Sequence, residues 1–322
     1  MLRPLKPRAL GPGSVVTLVS PASSAEARAI ARGMRELRRL GWIPRRAARK
    51  ERPEGYFAAS ARGRAAELIA ALRHARTEAV ICIRGGYGSS EIVEALARAS
   101  GLRRKLLIGF SDITALQVFL WQRLGWVTLY GPMAAAHFDR GAGKRHGYDA
   151  ASLANAVTIT RGGWRIPLHG RTFVRGSAAG RTLGGCVTLL ETTLGTPWEF
   201  DARGAILLLE DLSVRPYQLD RMLLHLRQAG KFKGVRGIVL GEFPNAEPAR
   251  AGITIADVCR RRLGDLGVPI VFGAPIGHTA RPMLTIPLGV RARLETSGEG
   301  RLDILESAVA PRRSTKRARK NA

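Results

Sequence analysis

The sequence predicts an α/β protein whose first half is built on a parallel sheet, and three observations carry that prediction. Short apolar runs, AVICI at 79–83 and KLLIGF at 105–110, end at glycine-containing turns and restart with helical spacing. Parallel strands buried on both faces read in this way. The pattern returns at 205–210, AILLLE, ahead of a helical stretch over 216–228. Residues able to do chemistry stand just beyond these runs, at the carboxyl ends of strands, where open α/β sheets gather their ligands.

Taken in order, residues 15–20 form a first strand. Ser23 or Ser24 is then placed to cap a helix over 25–40, which Gly41 closes. Residues 42–44 make at most a short strand, and 62–75 are helical, with Ala66, Leu68, Ile69 and Leu72 on one face. The two strand–turn–helix units at 79 and 105 follow, and a strand over 127–130 runs into Gly131-Pro132-Met133. Between 135 and 170 the alternation lapses into a stretch rich in Gly, Arg and Asp that reads as a linker. Strands resume at 172–174. Residues 180–185, GRTLGG, precede the helix-like CVTLLETTLG. Strands at 205–209, 237–240 and 270–272 alternate with helices at 216–228 and 255–263, and β-rich pieces at 284–294 and 301–305 close the fold. The expected division is an N-terminal α/β domain over 1–135, a linker over 136–175, a C-terminal α/β domain with a β-rich end over 176–310, and a basic disordered tail over 311–322.

Composition narrows the function class. With 322 residues, 45% hydrophobic and 24% charged, the chain has the make-up of an ordinary globular protein. No apolar run is long enough to span a bilayer, and the basic N-terminus lacks the apolar core of a signal peptide. Three widely spaced cysteines, Cys82, Cys186 and Cys259, fit neither a disulfide framework nor a zinc site and suit a reducing compartment, so a cytoplasmic location is expected. The net charge of +27 suits anionic partners, but no nucleic-acid motif accompanies it. Six of the 52 basic residues lie in the last dozen positions, so contact with nucleic acid is expected only through that tail.

The candidate chemistry centres on Ser111, in GFSD. A serine on a sharp strand-to-helix turn presents its hydroxyl outward, and the next amide opens a helix whose free N–H groups stabilise an oxyanion. Gly109 allows the tight turn, while Ile113 occupies the place of the second glycine of the usual nucleophile elbow. The alternative is that Ser111 or Asp112 merely caps the helix. An activated serine needs a base, and of the six histidines His278 alone follows a strand and a Gly-Ala-Pro-Ile-Gly turn. Glu210, at the end of a buried strand, is either the acid that orients this base or a residue that caps the next helix or pairs with an arginine. The order Ser111, Glu210, His278 is the nucleophile–acid–base order of α/β-hydrolases. RGGYG, at 84–88, lacks dinucleotide or phosphate-loop spacing, and a backbone amide at Gly86 is the alternative oxyanion donor. No metal-binding constellation is visible, and no cofactor is implied.

These residues resemble the LD-carboxypeptidase family, serine peptidase family S66, which also holds the microcin C self-immunity proteins. The matching pieces are VTLVSPASS, RGGYGSSEIVEAL, LLIGFSDITAL, LYGPM, GRTLGGCVTLLETTLGTPWE, ILLLEDLSVRPYQLDRMLLHLR and PIGHTARPMLTIPLG, in family order from about 15 to 289. The resemblance implies a triad of Ser111, Glu210 and His278, with the amides of Gly86 and Asp112 as the oxyanion hole. It also implies an active site between two domains, a homodimer, and removal of the terminal D-alanine from murein tetrapeptides in cytoplasmic cell-wall recycling. A small acidic peptide is then the substrate, and Arg84 and Tyr87 beside the glycine turn are the expected contacts to it. The microcin-type relatives imply an alternative, cleavage of a peptidyl nucleotide. One departure stands out: the family's usual Gly-Gly-Asn-Leu-Thr is Gly184-Gly185-Cys186-Val187-Thr188 here, so the role of the asparagine is replaced or lost.

Overall fold

Two sheets, each with a parallel core, organise the chain in the computed structural model, which describes residues 3–48, 51–246 and 252–312. The expected basic tail lies outside the described residues from position 313 onward. The first half runs β1 (Val15–Val19), α1 (Ala27–Arg39), β2 (Ile43–Arg46), α2 (Ala61–Arg73), β3 (Ala79–Cys82), α3 (Val93–Ala97), β4 (Leu106–Gly109), α4 (Thr114–Leu124) and β5 (Thr128–Tyr130). Strands β3 and β4 are buried at every position, the state that their unbroken apolar runs require. β2 lies at the sheet edge, where Pro44 is tolerated because no inner ladder needs its missing N–H.

The segment expected as a linker is built into the fold. It carries α5 (Ala150–Thr158), capped by Asp149, whose carboxylate accepts from Ser152 N–H. It also carries β6 (Trp164–Pro167) and β7 (Arg171–Val174), both strands of the second sheet. Phe138, Tyr148, Leu153 and Val157 are buried in the main core, so burial rather than periodicity orders this stretch.

The second half runs β8 (Ser177–Cys186), α6 (Val187–Glu191), β9 (Ala205–Glu210), α7 (Pro216–Gln228), β10 (Gly237–Leu240), α8 (Ile255–Leu263), β11 (Ile270–Phe272), β12 (Ile286–Leu288), β13 (Arg291–Glu295) and β14 (Arg301–Ile304). GRTLGG, unassigned by its pattern, lies at the inner end of a ten-residue strand. The eight-stranded sheet is ordered β6-β14-β13-β8-β9-β10-β11-β7, with β8 to β11 parallel. The stretch read as one β-rich piece divides: β13 stays in this sheet, while β12 returns to pair antiparallel with β5 in the six-stranded sheet. α1 also differs from expectation. Its N-cap is Glu26, with no side-chain cap bond, because Ser23 is engaged elsewhere.

One buried cation ties the first half together. Arg64 has no solvent exposure, and its guanidinium donates to the carbonyls of Ala59 (3.0 Å), Pro21 (2.8 Å) and Gly88 (2.5 Å) and pairs with Glu91. It thereby joins the turn after β1 to the glycine-rich turn after β3. Replacing it with methionine keeps the volume but orphans those carbonyls, at about 1–3 kcal/mol for each group left unsatisfied. Arg64→Met should thus lower the urea midpoint far more than Arg98→Met, which removes only an exposed helical pair. Equal midpoints would show that the three carbonyls find other partners.

Candidate active site

The turn after β4 bears Ser111 in a conformation that an L-residue adopts at a cost, φ +63°. Phe110 precedes it in extended conformation, a 3₁₀ turn over Ser111–Ile113 follows, and α4 begins at Thr114. Neither Ser111 nor Asp112 occupies a cap position: Phe110 and Ile113 do, without side-chain cap bonds. The absent second glycine of the elbow is explained by Gly109. A Cβ there would lie 2.9 Å from Ile113 Cγ2, so the glycine makes room for the isoleucine.

The glycine-rich turn leans on this serine. A Cβ on Gly85 would lie 3.1 Å from Ser111 Cβ, 3.2 Å from its Oγ and 3.4 Å from Asp112 N. Ser23 holds the turn from behind: its N–H donates to Gly85 O at 3.1 Å, and its Oγ accepts from Tyr87 N–H at 3.2 Å. Gly86, at φ +101°, sits between those two anchored neighbours, and a Cβ there would meet Ser23 Oγ at 2.4 Å. Asp112 is buried and clasps the far end of the turn, with Oδ2 accepting from Ser89 N–H at 2.8 Å and its carbonyl accepting from Ser89 Oγ. Burial raises its carboxyl pKa, outweighing the bonds from Ser89 and Gly88 and the charge of Arg64.

Glu210 arrives from the other sheet, at the end of β9 and wholly buried. Its Oε2 accepts from His278 Nδ1 at 2.7 Å and from His278 N–H at 2.8 Å, and its Oε1 accepts from Tyr130 Oη at 2.5 Å. A carboxylate only accepts, so Nδ1 bears the imidazole proton and Nε2 is left as the basic nitrogen. Burial opposes ionisation of Glu210, yet the His278 charge and the bonds from His278 and Tyr130 prevail and lower its pKa. For His278, burial pulls the pKa down, but the charge and hydrogen bond of Glu210, with Asp211, carry it above 6.5. The edge of Phe110 packs on the His278 ring at 5.2 Å, and Thr279 braces the loop by donating to Glu242 at 2.5 Å.

Ser111, Glu210 and His278 are brought together around Tyr130, whose hydroxyl also accepts from Ser111 N–H at 3.2 Å. Sequence reasoning passed over Tyr130, a tyrosine at the end of an apolar strand, and also His137. The latter is buried beside Phe110 at 5.2 Å, with Nδ1 donating to Gly147 O at 2.9 Å, and burial lowers its pKa. Phe110, His137, Arg140, Arg145, Asn245 and His278 help line a cleft of about 490 Å³. Arg84 and Tyr87 are not among its lining residues. Arg84 donates to Ser24 O at 3.1 Å, and Tyr87 packs against Tyr56 and Phe57. Cys186, in register with Glu210, is buried, and its amide donates to Thr114 Oγ1 at 3.1 Å. Burial, then Asp211 and Glu210, push its thiol pKa far up, so it is neutral.

Comparison with known proteins follows this architecture. Family models match residues 16–131, as the LD-carboxypeptidase N-terminal domain, and 179–294, as the LD-carboxypeptidase C-terminal domain. A Streptomyces coelicolor protein named a putative carboxypeptidase is 38% identical over 90% of this chain and 93% of its own length. A Bacillus subtilis protein named a probable murein peptide carboxypeptidase is 33% identical over 91% and 92% respectively. The microcin C7 self immunity protein MccF superposes with a TM-score of 0.84 at 22% identity, covering 95% of this chain and all of that one, which shows a shared fold.

Gly277 offers a direct test of this packing. It sits at φ +62°, and a Cβ would fall 2.2 Å from Glu210 Cδ, whereas Gly273 in the same loop has φ +82° and open space. Gly273→Ala should cost only the backbone strain, about 1–2 kcal/mol. Gly277→Ala should add the collision and push Glu210 off His278. A proton NMR titration should then show the His278 pKa falling in Gly277→Ala and holding in Gly273→Ala. The same value in both variants would remove Gly277 from the account.

Proposed function

This chain belongs to the LD-carboxypeptidase family of serine peptidases, and from that premise we propose that it removes the terminal D-alanine of murein tetrapeptides through Ser111, Glu210 and His278. As a family member it is a hydrolase of the serine carboxypeptidase type. The observation that carries the residue assignment is the buried, fully bonded Glu210–His278 pair, joined through Tyr130 to a serine held at a strained elbow.

In this reading, His278 Nε2 takes the Ser111 proton as Oγ attacks the carbonyl preceding the D-residue. Glu210 keeps the imidazole in the required tautomer and stabilises it when charged. The amides of Gly86 and Asp112 donate to the oxyanion, a role supported by the closeness of the two turns, since a Cβ on Gly85 would lie 3.2 Å from Ser111 Oγ and 3.4 Å from Asp112 N. His278 then protonates the leaving amine, and water releases the acyl group. The murein substrate is supported by the name of the B. subtilis relative. Arg140 and Arg145 in the cleft suit the carboxylates of such a peptide. Arg84 and Tyr87 belong to the proposal only as contacts at the outer side of the glycine turn. Action in the cytoplasm as a homodimer is part of the same reading; the three buried, unpaired cysteines agree with a reducing compartment.

A second reading, cleavage of a peptidyl nucleotide, is favoured by one observation. MccF, which shares the fold, has been solved in complex with glutamyl sulfamoyl guanosine, and Tyr56 and Tyr87 here are exposed aromatic rings 5.7 Å apart, suited to stacking on a base.

Mass spectrometry of murein tetrapeptide incubated with wild type and Ser111→Ala tests the first reading. Wild type alone should release one D-alanine, with Ser111→Ala slower by about 10⁴-fold or more. Release by both proteins would remove Ser111 as the nucleophile. Release by neither, with cleavage of an aminoacyl sulfamoyl nucleoside, would favour the second reading.

The raised pKa of His278 also fixes a direction in pH. The base must be neutral to act, so kcat/KM should rise through an acid limb lying above pH 6.5. Glu210→Gln removes the charge that raises it most and leaves burial opposed chiefly by the weaker effect of Asp211. The limb should then move to lower pH while the plateau falls by about 10⁴-fold. A limb that moves upward would contradict the assignment of Glu210.

A further inference from the structure

We propose that Tyr130 is a positioning residue whose single hydroxyl couples the nucleophile turn to the acid–base pair, accepting from Ser111 N–H and donating to Glu210 Oε1. This rests on the reading of Ser111, Glu210 and His278 as the triad.

The polarity of the link is set by its ends. An amide N–H only donates and a carboxylate only accepts, so the hydroxyl proton points at Glu210 and an oxygen lone pair faces Ser111. The hydroxyl does not lose this proton in the working range, because burial, and then the Glu210 charge, hold the phenol well above its ordinary pKa. The ring is fixed as well. Tyr130 has no exposure, Phe110 meets it edge-on at 6.2 Å, and Gly185 approaches closely enough that a Cβ there would lie 3.1 Å from Tyr130 Cε2.

Three consequences follow. Holding Oε1 directs Oε2 at His278. Donation to Glu210 draws charge out of the carboxylate and moderates its pull on the imidazole. Acceptance from Ser111 N–H holds the turn in its strained conformation. Tyr130 comes from the six-stranded sheet and Glu210 from the eight-stranded one, so the same hydroxyl also spans the junction of the sheets.

Other ionisable groups face this centre. His278 is faced by Glu210, Asp211 and His137, and Tyr130 by Glu210 and Cys186. Burial keeps the Cys186 thiol neutral and pushes the His137 pKa down, so His137 is deprotonated ahead of His278. Burial and the Glu210 charge raise the Asp211 pKa against its bonds from Thr188 and Leu212 N–H, which Tyr130 does not touch. A change at Tyr130 is therefore read out at His278 through Glu210.

Two substitutions push the link in opposite directions. Tyr130→Phe keeps the ring and deletes the donor, leaving more charge on Glu210. Tyr130→3-fluorotyrosine, introduced at this position alone, makes the donor stronger. The primary readout is the His278 pKa from NMR of the ¹³C-histidine-labelled protein, assigned by the resonance lost in His278→Asn; it requires no turnover. Tyr130→Phe should raise that pKa by about half a unit and 3-fluorotyrosine should lower it. With murein tetrapeptide, Tyr130→Phe should lower kcat by about tenfold or more, leave KM within about threefold, and move the acid limb upward with the pKa. An unchanged His278 pKa in both variants, or shifts of the same sign, would overturn the proposal, as would a loss of kcat that merely tracks the folded fraction. Should Tyr130→Phe not fold, the fluorinated variant decides by itself. Failure of the wild type to cleave murein tetrapeptide would remove the catalytic reading, while the NMR titration would still decide whether Tyr130 tunes His278.

Discussion

A carboxylate without any solvent exposure is the constraint on which this structure turns. An unpaired charge in such a place is too costly to persist, so Glu210 must be surrounded by donors wherever the chain can supply them. Three donors reach it: Tyr130 Oη from the six-stranded sheet, and Nδ1 and N–H of His278 from the loop after β11. The junction of the two sheets is thus also the place where a buried charge is satisfied. Gly241 and Gly277 permit it, since a Cβ on either would lie within 2.6 Å of Glu210. Side-chain volume is removed there so that backbone and ring donors can come close.

The same pair decides the electrostatics in the direction that a base requires. Burial by itself would leave His278 hard to protonate and Glu210 hard to ionise. Set against each other they reverse both tendencies, and each shift is the other's cause. Linkage gives the matching statement for stability. A histidine whose folded pKa is raised contributes stability in full below about pH 6.5, its unfolded value, and loses that contribution as pH rises through the folded value. The proposed catalysis wants the neutral base and stability wants the charged one. The range in which the proposed base is neutral is therefore the range in which this ion pair has ceased to add to stability, and the remaining bonds to Glu210 must hold the geometry.

How far the sequence could be read depended on whether a residue's role was expressed in its immediate neighbours. Ser111, Glu210 and His278 stood out because each follows a buried strand, and strand ends are visible as the limits of apolar runs. The helices over 216–228 and 255–263 were legible because Pro216 and the Thr254–Asp257 capping box mark their starts. Tyr130 was invisible because its partners lie 19 and 80 positions away, and its own neighbourhood, TLYGP, looks like any strand end. GRTLGG showed no strand signal because glycine is depleted in strands and three of its six residues are glycine. Gly185 is needed in a strand because a side chain there would strike Thr114 at 2.5 Å. Arg84 and Tyr87 show the limit of proximity in sequence. They neighbour Gly85 and Gly86, yet the turn sends one to Ser24 and the other to Tyr56 and Phe57, outside the lining of the cleft.

The net charge of +27 raises the question whether the field of the whole molecule governs the site, and screening argues against it. One gathering of positive charge, Lys6, Arg8, Arg103, Arg104 and Lys105, surrounds a cavity of about 510 Å³ at the amino ends of β3 and β4. Ser111 follows the carboxyl end of β4, six residues beyond Lys105, or about 20 Å along an extended strand at roughly 3.3 Å per residue. The Debye length at physiological salt is about 8 Å, so the field of that solvent-facing cluster is damped over such a span. Glu210, by contrast, has no solvent exposure and touches His278 across 2.7 Å. The distant arginine excess can draw anionic peptides toward the molecule while the local groups dominate the proton affinity of His278. Burial lowers that affinity, and Glu210, held by the groups that bond it, and Asp211 raise it.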